Sequence, residues 1–95
     1  METQAKRFFV SGRVQGVGFR FFAERTATRL GVSGFVRNLY DGRVEVYAVG
    51  SAEQIVAMKE ALARGPRTAE VYRVDEEDAE ILRKFANVFS IESDE

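Results

Sequence analysis

The sequence predicts an α+β sandwich in which two helices cover one face of an antiparallel four-stranded sheet. Apolar residues alternate with polar residues in four segments, and they recur at helical spacing in two others. The segments follow one another in the order β-α-β-β-α-β. Two helices cannot cover both faces of a four-stranded sheet, so we expect both on one face and an open face that is partly wet. This arrangement is the ferredoxin-like split β-α-β sandwich.

The first half of the chain contains a strand, a glycine-rich loop and a helix. The strand is predicted over residues 6–14. Its inward face consists of Phe8, Val10, Gly12 and Val14. From Phe19 to Leu30 the apolar residues recur at helical spacing, with arginines on the other face. Gly31 follows, where a left-handed residue ends many helices.

The middle of the chain is predicted to form a hairpin and a second helix. Residues 32–39 and 43–49 are the two strands, and Asp41-Gly42 is a hairpin signal. Ser51 and Gln54 fit a capping box at the start of the helix. Gly65-Pro66 ends it.

The last third of the chain is less regular. Residues 68–75 are predicted to be a fourth strand with a bulge, because their alternation breaks. Residues 76–87 fit either an acidic loop or a short helix, and residues 89–91 are compatible with a short fifth strand. The acidic residues 75–78 lack the spacing of a calcium-binding loop, so we interpret them as a solvated loop and not as a metal site.

Composition narrows the function classes. The 95 residues are predicted to form a single domain, residues 1–95. Lys plus Arg number 14 and Asp plus Glu number 15, a net charge of -1 that argues against a nucleic-acid partner. The chain has no His and no Cys, which excludes Ser-His-Asp and Cys-His catalysis. No apolar stretch is long enough for a membrane span or a signal peptide, so we expect a cytoplasmic protein.

The loop from Gln15 to Arg20 is the most informative segment. Gly16 and Gly18 permit backbone conformations in which successive N–H groups surround an anion. The loop leads into a helix N-terminus, which also favours an anion. Arg20 is unfavourably placed in the first turn of that helix unless a phosphate or carboxylate binds beside it. The alternative is a glycine-rich turn with a solvated arginine.

Asn38 is the second candidate residue. It lies near the end of the second predicted strand, where asparagine is uncommon. Its amide is able to orient a water molecule or a substrate, but it cannot act as a base. The alternative is an asparagine that simply begins the hairpin turn.

Two motifs resemble the signatures of the acylphosphatase family. Residues 10–20 read V-x-G-x-V-Q-G-V-x-F-R, and residues 34–50 read G-F-V-R-N-x3-G-x-V-x5-G. The resemblance extends through the second helix and Gly65-Pro66 to Phe89-Ser90-Ile91. It implies the ferredoxin-like fold and hydrolysis of the carboxyl–phosphate anhydride bond of acyl phosphates, which releases a carboxylate and inorganic phosphate.

The resemblance also implies roles for individual residues. Arg20 corresponds to the phosphate-binding arginine and Asn38 to the asparagine that positions the attacking water. The backbone N–H groups of the loop form the phosphate cradle; its residues are Gln15, Gly16, Val17, Gly18 and Phe19. No metal or cofactor is implied. The acidic tail, residues 92–95, departs from the family pattern of a basic residue, so we expect a frayed chain end.

The sequence leaves two alternatives to a stand-alone monomeric acylphosphatase. One is a ferredoxin-like module that binds RNA or a small anion without chemistry; the net charge and the lack of an RNP-type aromatic signature argue against RNA. The other is a domain of a larger carbamoyl-phosphate-processing protein.

Overall fold

The computed structural model describes residues 2–95. In chain order the elements are β1 (Gln4–Arg13), α1 (Phe19–Leu30), β2 (Ser33–Asn38), β3 (Val44–Gly50), α2 (Ala52–Arg64), β4 (Glu70–Asp78), a 3₁₀ helix (Arg83–Phe85) and β5 (Phe89–Ile91). The predicted order β-α-β-β-α-β is confirmed, and the short fifth strand is present.

The strands form one sheet in the order β4-β1-β3-β2-β5. The pairs β1–β3, β1–β4 and β2–β3 are antiparallel, as predicted for a four-stranded sheet. β5 adds to the free edge of β2 in parallel, where Gly34 to Val36 pair with Phe89 to Ile91. The complete sheet is therefore mixed, and its last strand runs alongside β2 towards the end that carries Asn38.

Both helices pack on one face of the sheet and enclose the main core. Buried strand residues of this core include Phe8, Val10, Val36, Val44, Val46 and Ala48, and Val14 joins them from just beyond β1. Buried helix residues include Phe19, Ala23, Ala27, Ile55, Met58 and Leu62. The period-two and helical patterns of the sequence therefore identified the inward faces correctly.

The helix ends follow the predicted local signals. Gly31 adopts the left-handed conformation at the C-terminus of α1. At the N-terminus of α2, the Gln54 N–H donates to Ser51 Oγ at 3.2 Å and the Ser51 N–H donates to Gln54 Oε1 at 2.8 Å, which completes the capping box. Gln54 Nε2 also donates to the Leu30 carbonyl at 3.0 Å, so this cap joins the two helices.

β4 contains the predicted bulge. Val74 pairs with Val10 and Val71 pairs with Gly12, although two residues lie between the two valines along β4 and only one lies between their partners. Tyr72 is the extra residue, and its side chain is exposed. The insertion shifts the alternation by one position, so both valines pack against the main core.

The prediction for the acidic segment was wrong at its start. Residues 75–78 are not a loop but the end of β4, paired with β1. Glu76 accepts hydrogen bonds from Lys59 at 2.5 Å and from Lys6 at 3.0 Å. These two ammonium groups hold the pKa of Glu76 below its usual value, and Lys59 has the larger effect. An edge strand with lysines beside it accommodates carboxylates that would repel each other in a loop. Further on, the short helix proposed within residues 76–87 is the 3₁₀ turn.

The other face of the sheet is partly covered. Phe85 from the 3₁₀ helix packs on Phe35 and Tyr47, with ring centroids 5.0 and 5.7 Å apart, in a second apolar cluster. The Tyr47 hydroxyl donates to the Glu80 carbonyl at 2.5 Å and accepts from the Leu82 N–H at 2.7 Å. These bonds attach the 79–88 segment to the sheet, so the face predicted to be wet is open only beyond this segment.

Candidate active site

The end of β1, the start of α1 and the end of β2 surround one small concavity of about 80 Å³. Its lining consists of Val14, Gly16, Gly18, Phe19, Arg20, Phe21 and Asn38. The antiparallel β1–β3–β2 arrangement brings the end of β2 next to the loop that follows β1. The fold therefore brings the two candidate residues, Arg20 and Asn38, to the same cavity from different elements.

The glycine-rich loop has the left-handed conformation that its sequence predicts. Gly16 has φ 73° and Gly18 has φ 80°. At either glycine, a Cβ atom would have no neighbour within 4 Å, so the requirement for glycine is conformational and the space beside the loop is open. The first helical hydrogen bond runs from the Phe22 N–H to the Gly18 carbonyl at 3.1 Å. The N–H groups of residues 19–21 precede it and lie at the positive end of the helix dipole.

Arg20 has a carboxylate beside it. Its Nη1 lies 3.4 Å from Asp94 Oδ1, a long contact between two partly exposed side chains. The expectation of a frayed tail was therefore wrong. The Glu95 N–H donates to the Asn38 carbonyl at 3.0 Å, and the Glu95 carbonyl oxygen accepts from the Tyr40 N–H at 2.7 Å. These backbone bonds continue the β5 edge along β2 and bring an acidic side chain to the arginine.

Asn38 is the last residue of β2. Its backbone pairs with Val44, and the residue is only 8% exposed. The preceding residue, Arg37, points to the opposite face, where its Nε donates to Glu45 Oε1 at 2.8 Å. Glu45 is 4% exposed and also accepts from Arg7 at 2.6 Å. Two arginines, one from β1 and one from β2, thus compensate the charge of the buried carboxylate on β3, on the face of the sheet opposite the Asn38 side chain.

Gln15 and Val17 lie in the loop but outside the lining of the concavity, and both are connected to neighbouring segments. Gln15 Nε2 donates to the Leu39 carbonyl at 2.7 Å and to the Arg43 carbonyl at 2.9 Å. The Thr68 hydroxyl donates to the Val17 carbonyl at 2.6 Å. The loop is therefore attached to the β2–β3 turn on one side and to the start of β4 on the other.

Neither these contacts nor three of the residues involved in the site can be identified from the local sequence. Thr68, Asp94 and the cavity-lining Phe21 carry no local motif that marks them, and their importance depends on what the fold brings near them. The β2–β3 turn is itself braced by Arg43, whose guanidinium donates to Asp41 at 2.9 Å and holds the pKa of that carboxyl below its usual value.

The arrangement suits an anion more than a cation. It combines one guanidinium, a helix N-terminus and a left-handed glycine loop around a cavity that also contains an amide side chain. Within residues 2–95, no group of three His, Cys, Asp or Glu side chains is placed to hold a metal ion. Over the same residues, no helix has the length and apolar character needed to cross a membrane. Such a site is able to bind a phosphate group and to orient a polar molecule beside it.

Comparisons with known proteins agree with one another. A family model described as Acylphosphatase matches residues 6–91. The acylphosphatase of Solibacter usitatus is 51% identical over 79 residues, which cover 83% of this chain and 82% of that protein. The acylphosphatase of Pasteurella multocida is 50% identical over 86 residues, covering 90% and 94%. The crystal structure of the acylphosphatase from Bacillus subtilis matches with a TM-score of 0.86 and 34% identity, covering 95% and 98%.

The match in sequence and the match in fold extend over nearly the same residues. The family model takes in both motifs, the second helix and β5. The chain therefore belongs to the acylphosphatase family, and it is an enzyme that hydrolyses acyl phosphates to a carboxylate and inorganic phosphate.

Proposed function

We propose that Arg20 and the Gln15–Phe19 loop hold the phosphoryl group of an acyl phosphate while Asn38 positions the attacking water. The observation that carries this proposal is that Arg20 and Asn38, from α1 and β2, line the same cavity beside a glycine loop and a helix N-terminus. A guanidinium donates hydrogen bonds to two phosphate oxygens, and backbone N–H groups stabilise the negative charge on the others.

The proposed reaction needs no side-chain base. The water oxygen, held by the Asn38 amide, attacks phosphorus in line with the leaving acyl oxygen. The bond from phosphorus to the acyl oxygen breaks, and its electron pair leaves with the carboxylate. The water proton passes to a phosphoryl oxygen, so the products are a carboxylate and inorganic phosphate. Carboxylate is a good leaving group, and charge stabilisation with positioning carries most of such a reaction.

We also propose a domain organisation, an oligomeric state, a location and a set of binding partners for the protein. We expect a single domain over residues 1–95 that acts as a cytoplasmic monomer, takes a small acyl phosphate and releases inorganic phosphate, and binds no nucleic acid. Light scattering of the purified protein at catalytic concentrations measures its mass, and a dimer would contradict the expectation.

Hydrolysis of benzoyl phosphate without added metal tests the two residues. We expect Arg20→Ala to lose at least about 10²-fold in kcat/KM, as when a charge-stabilising donor is removed, and to weaken inhibition by inorganic phosphate. Asn38→Ala should keep its inhibition constant for phosphate while kcat falls. Arg25→Ala, which removes the same charge from the exposed surface of α1, is the matched control and should behave like the parent.

Three outcomes would contradict the proposal. If Arg25→Ala loses as much activity as Arg20→Ala, the effect is one of net charge and not of the site. Equal losses of turnover and of phosphate affinity in Asn38→Ala would exclude the water-positioning role. Full activity in both Arg20→Ala and Asn38→Ala would mean that the reaction takes place elsewhere on the molecule.

A further inference from the structure

Phe21 is an exposed aromatic residue among those that line the cavity. It is 61% exposed, yet it lines the same concavity as Arg20, the residue before it in α1. The neighbouring aromatics of this helix turn inward: the rings of Phe19 and Phe22 pack edge to face with centroids 5.6 Å apart. Packing of the core therefore does not account for the position of the Phe21 ring.

Successive residues of a helix point about 100° apart, so the side chains of Arg20 and Phe21 leave the first turn of α1 in different directions. The cavity of about 80 Å³ has room for little beyond a phosphoryl group. The rest of a substrate must extend out over the rim. An aromatic ring beside that rim offers a favourable contact to an apolar group but not to an anionic one, since burial of apolar surface is favourable and burial of an unpaired negative charge is costly.

We propose that Phe21 binds the acyl group and makes the enzyme select acyl phosphates with a large apolar or aromatic acyl part over those with a small one. This inference rests on the proposed role of Arg20, because the phosphoryl position determines where the acyl group emerges. The ring contacts the acyl group in the bound substrate, and it takes no part in proton transfer or in cleavage. Its effect therefore falls on substrate affinity more than on turnover.

The test compares benzoyl phosphate, which has an aromatic acyl group, with acetyl phosphate, which has a single methyl. We expect Phe21→Ala to raise KM for benzoyl phosphate about tenfold, and KM for acetyl phosphate less than about threefold, because the larger acyl group loses more apolar contact. Phe21→Tyr keeps the ring and should restore the preference for benzoyl phosphate. The control is Val56→Ala, which truncates a side chain that is 57% exposed on α2 and should change neither constant.

Inhibition by inorganic phosphate separates this inference from the proposed function. Phosphate has no acyl group, so its inhibition constant in Phe21→Ala should stay close to that of the parent. If KM for both substrates changes by the same factor, or if neither changes, the ring does not select the acyl group and the inference is overturned. If instead Arg20→Ala retains phosphate inhibition and activity, the proposed function fails first, whatever the two KM values are.

Discussion

The side-chain amide of Gln15 connects the glycine loop to the β2–β3 turn, and Gln15→Glu removes that connection with almost no change in size. In the protein, Nε2 donates to two carbonyl oxygens, those of Leu39 at 2.7 Å and Arg43 at 2.9 Å. In the variant, a carboxylate oxygen replaces the donor and faces two other acceptors. Two hydrogen bonds are lost, and oxygen–oxygen repulsion takes their place.

The size of the loss follows from the partners that remain. The Leu39 carbonyl still accepts from the Gly42 N–H at 3.1 Å, and the Arg43 carbonyl still accepts from the Leu39 N–H at 2.8 Å. Neither carbonyl is left without a donor, so the larger penalty for a buried unpaired group does not apply. The two lost hydrogen bonds alone are worth about 2 kcal/mol of unfolding free energy, and the repulsion adds to this loss. Because the loop and the end of β2 then lose their relative position, we expect kcat to fall about tenfold or more.

Urea unfolding and benzoyl phosphate hydrolysis at pH 7 measure the two effects. Gln4→Glu introduces the same charge at the opposite end of β1 and is the matched control. The two acceptors favour protonation of the introduced carboxyl, which restores one donor, so the stability difference from the control should narrow as the pH falls towards about 4.3, the pKa of a free glutamate. If the two variants agree within about 0.5 kcal/mol and have the same kcat, Gln15 does not hold the site together.

Two further predictions concern the charged groups around the site and the edge strand. Asp94→Asn should lower the inhibition constant for inorganic phosphate by up to about threefold at low salt, because the Asp94 carboxylate competes with phosphate for Arg20. Added salt should remove the difference between variant and parent. An unchanged inhibition constant at low salt would contradict this competition. Lys59 holds the pKa of Glu76 below its usual value, so this pair contributes stability above about pH 4.3 that is lost as the pH falls through the lowered pKa. In urea titrations at several pH values, Glu76→Gln should therefore reduce the loss of unfolding free energy at acid pH more than Glu77→Gln does. Glu77 lies on the opposite face of β4 and is the control. Equal dependence on pH in the two variants would exclude the Lys59–Glu76 pair as the cause.

Local patterns in the sequence were sufficient for most elements. Alternation identified the inward face of β1, helical spacing identified the inward face of α1, and Ser51 with Gln54 marked the start of α2. Each of these signals consists of residues within a few positions of one another, so it can be recognised in the sequence before any tertiary contact is known. The bulge in β4 was predictable for the same reason, because it shows as one break in a local alternation.

For residues 75–78, prediction from the local sequence alone is wrong. Four consecutive acidic residues resemble a solvated loop, yet they form the edge of the sheet because β1 offers a free edge and because Lys6 and Lys59 lie beside it. The strand order and the parallel direction of β5 likewise depend on pairing partners far away in the chain. No window of a few residues contains that information.

The sequence by itself determined the two helices, the four main strands, the family motifs and the candidates Arg20 and Asn38, since each of these is written in nearby residues. Only the tertiary structure decided that Arg20 and Asn38 line one cavity, that Gln15 joins the loop to the β2–β3 turn and that Asp94 reaches the arginine. Such contacts form only when strands distant in sequence pair with one another. The energies of these contacts depend on atomic positions that the whole fold determines, so local sequence patterns do not predict them.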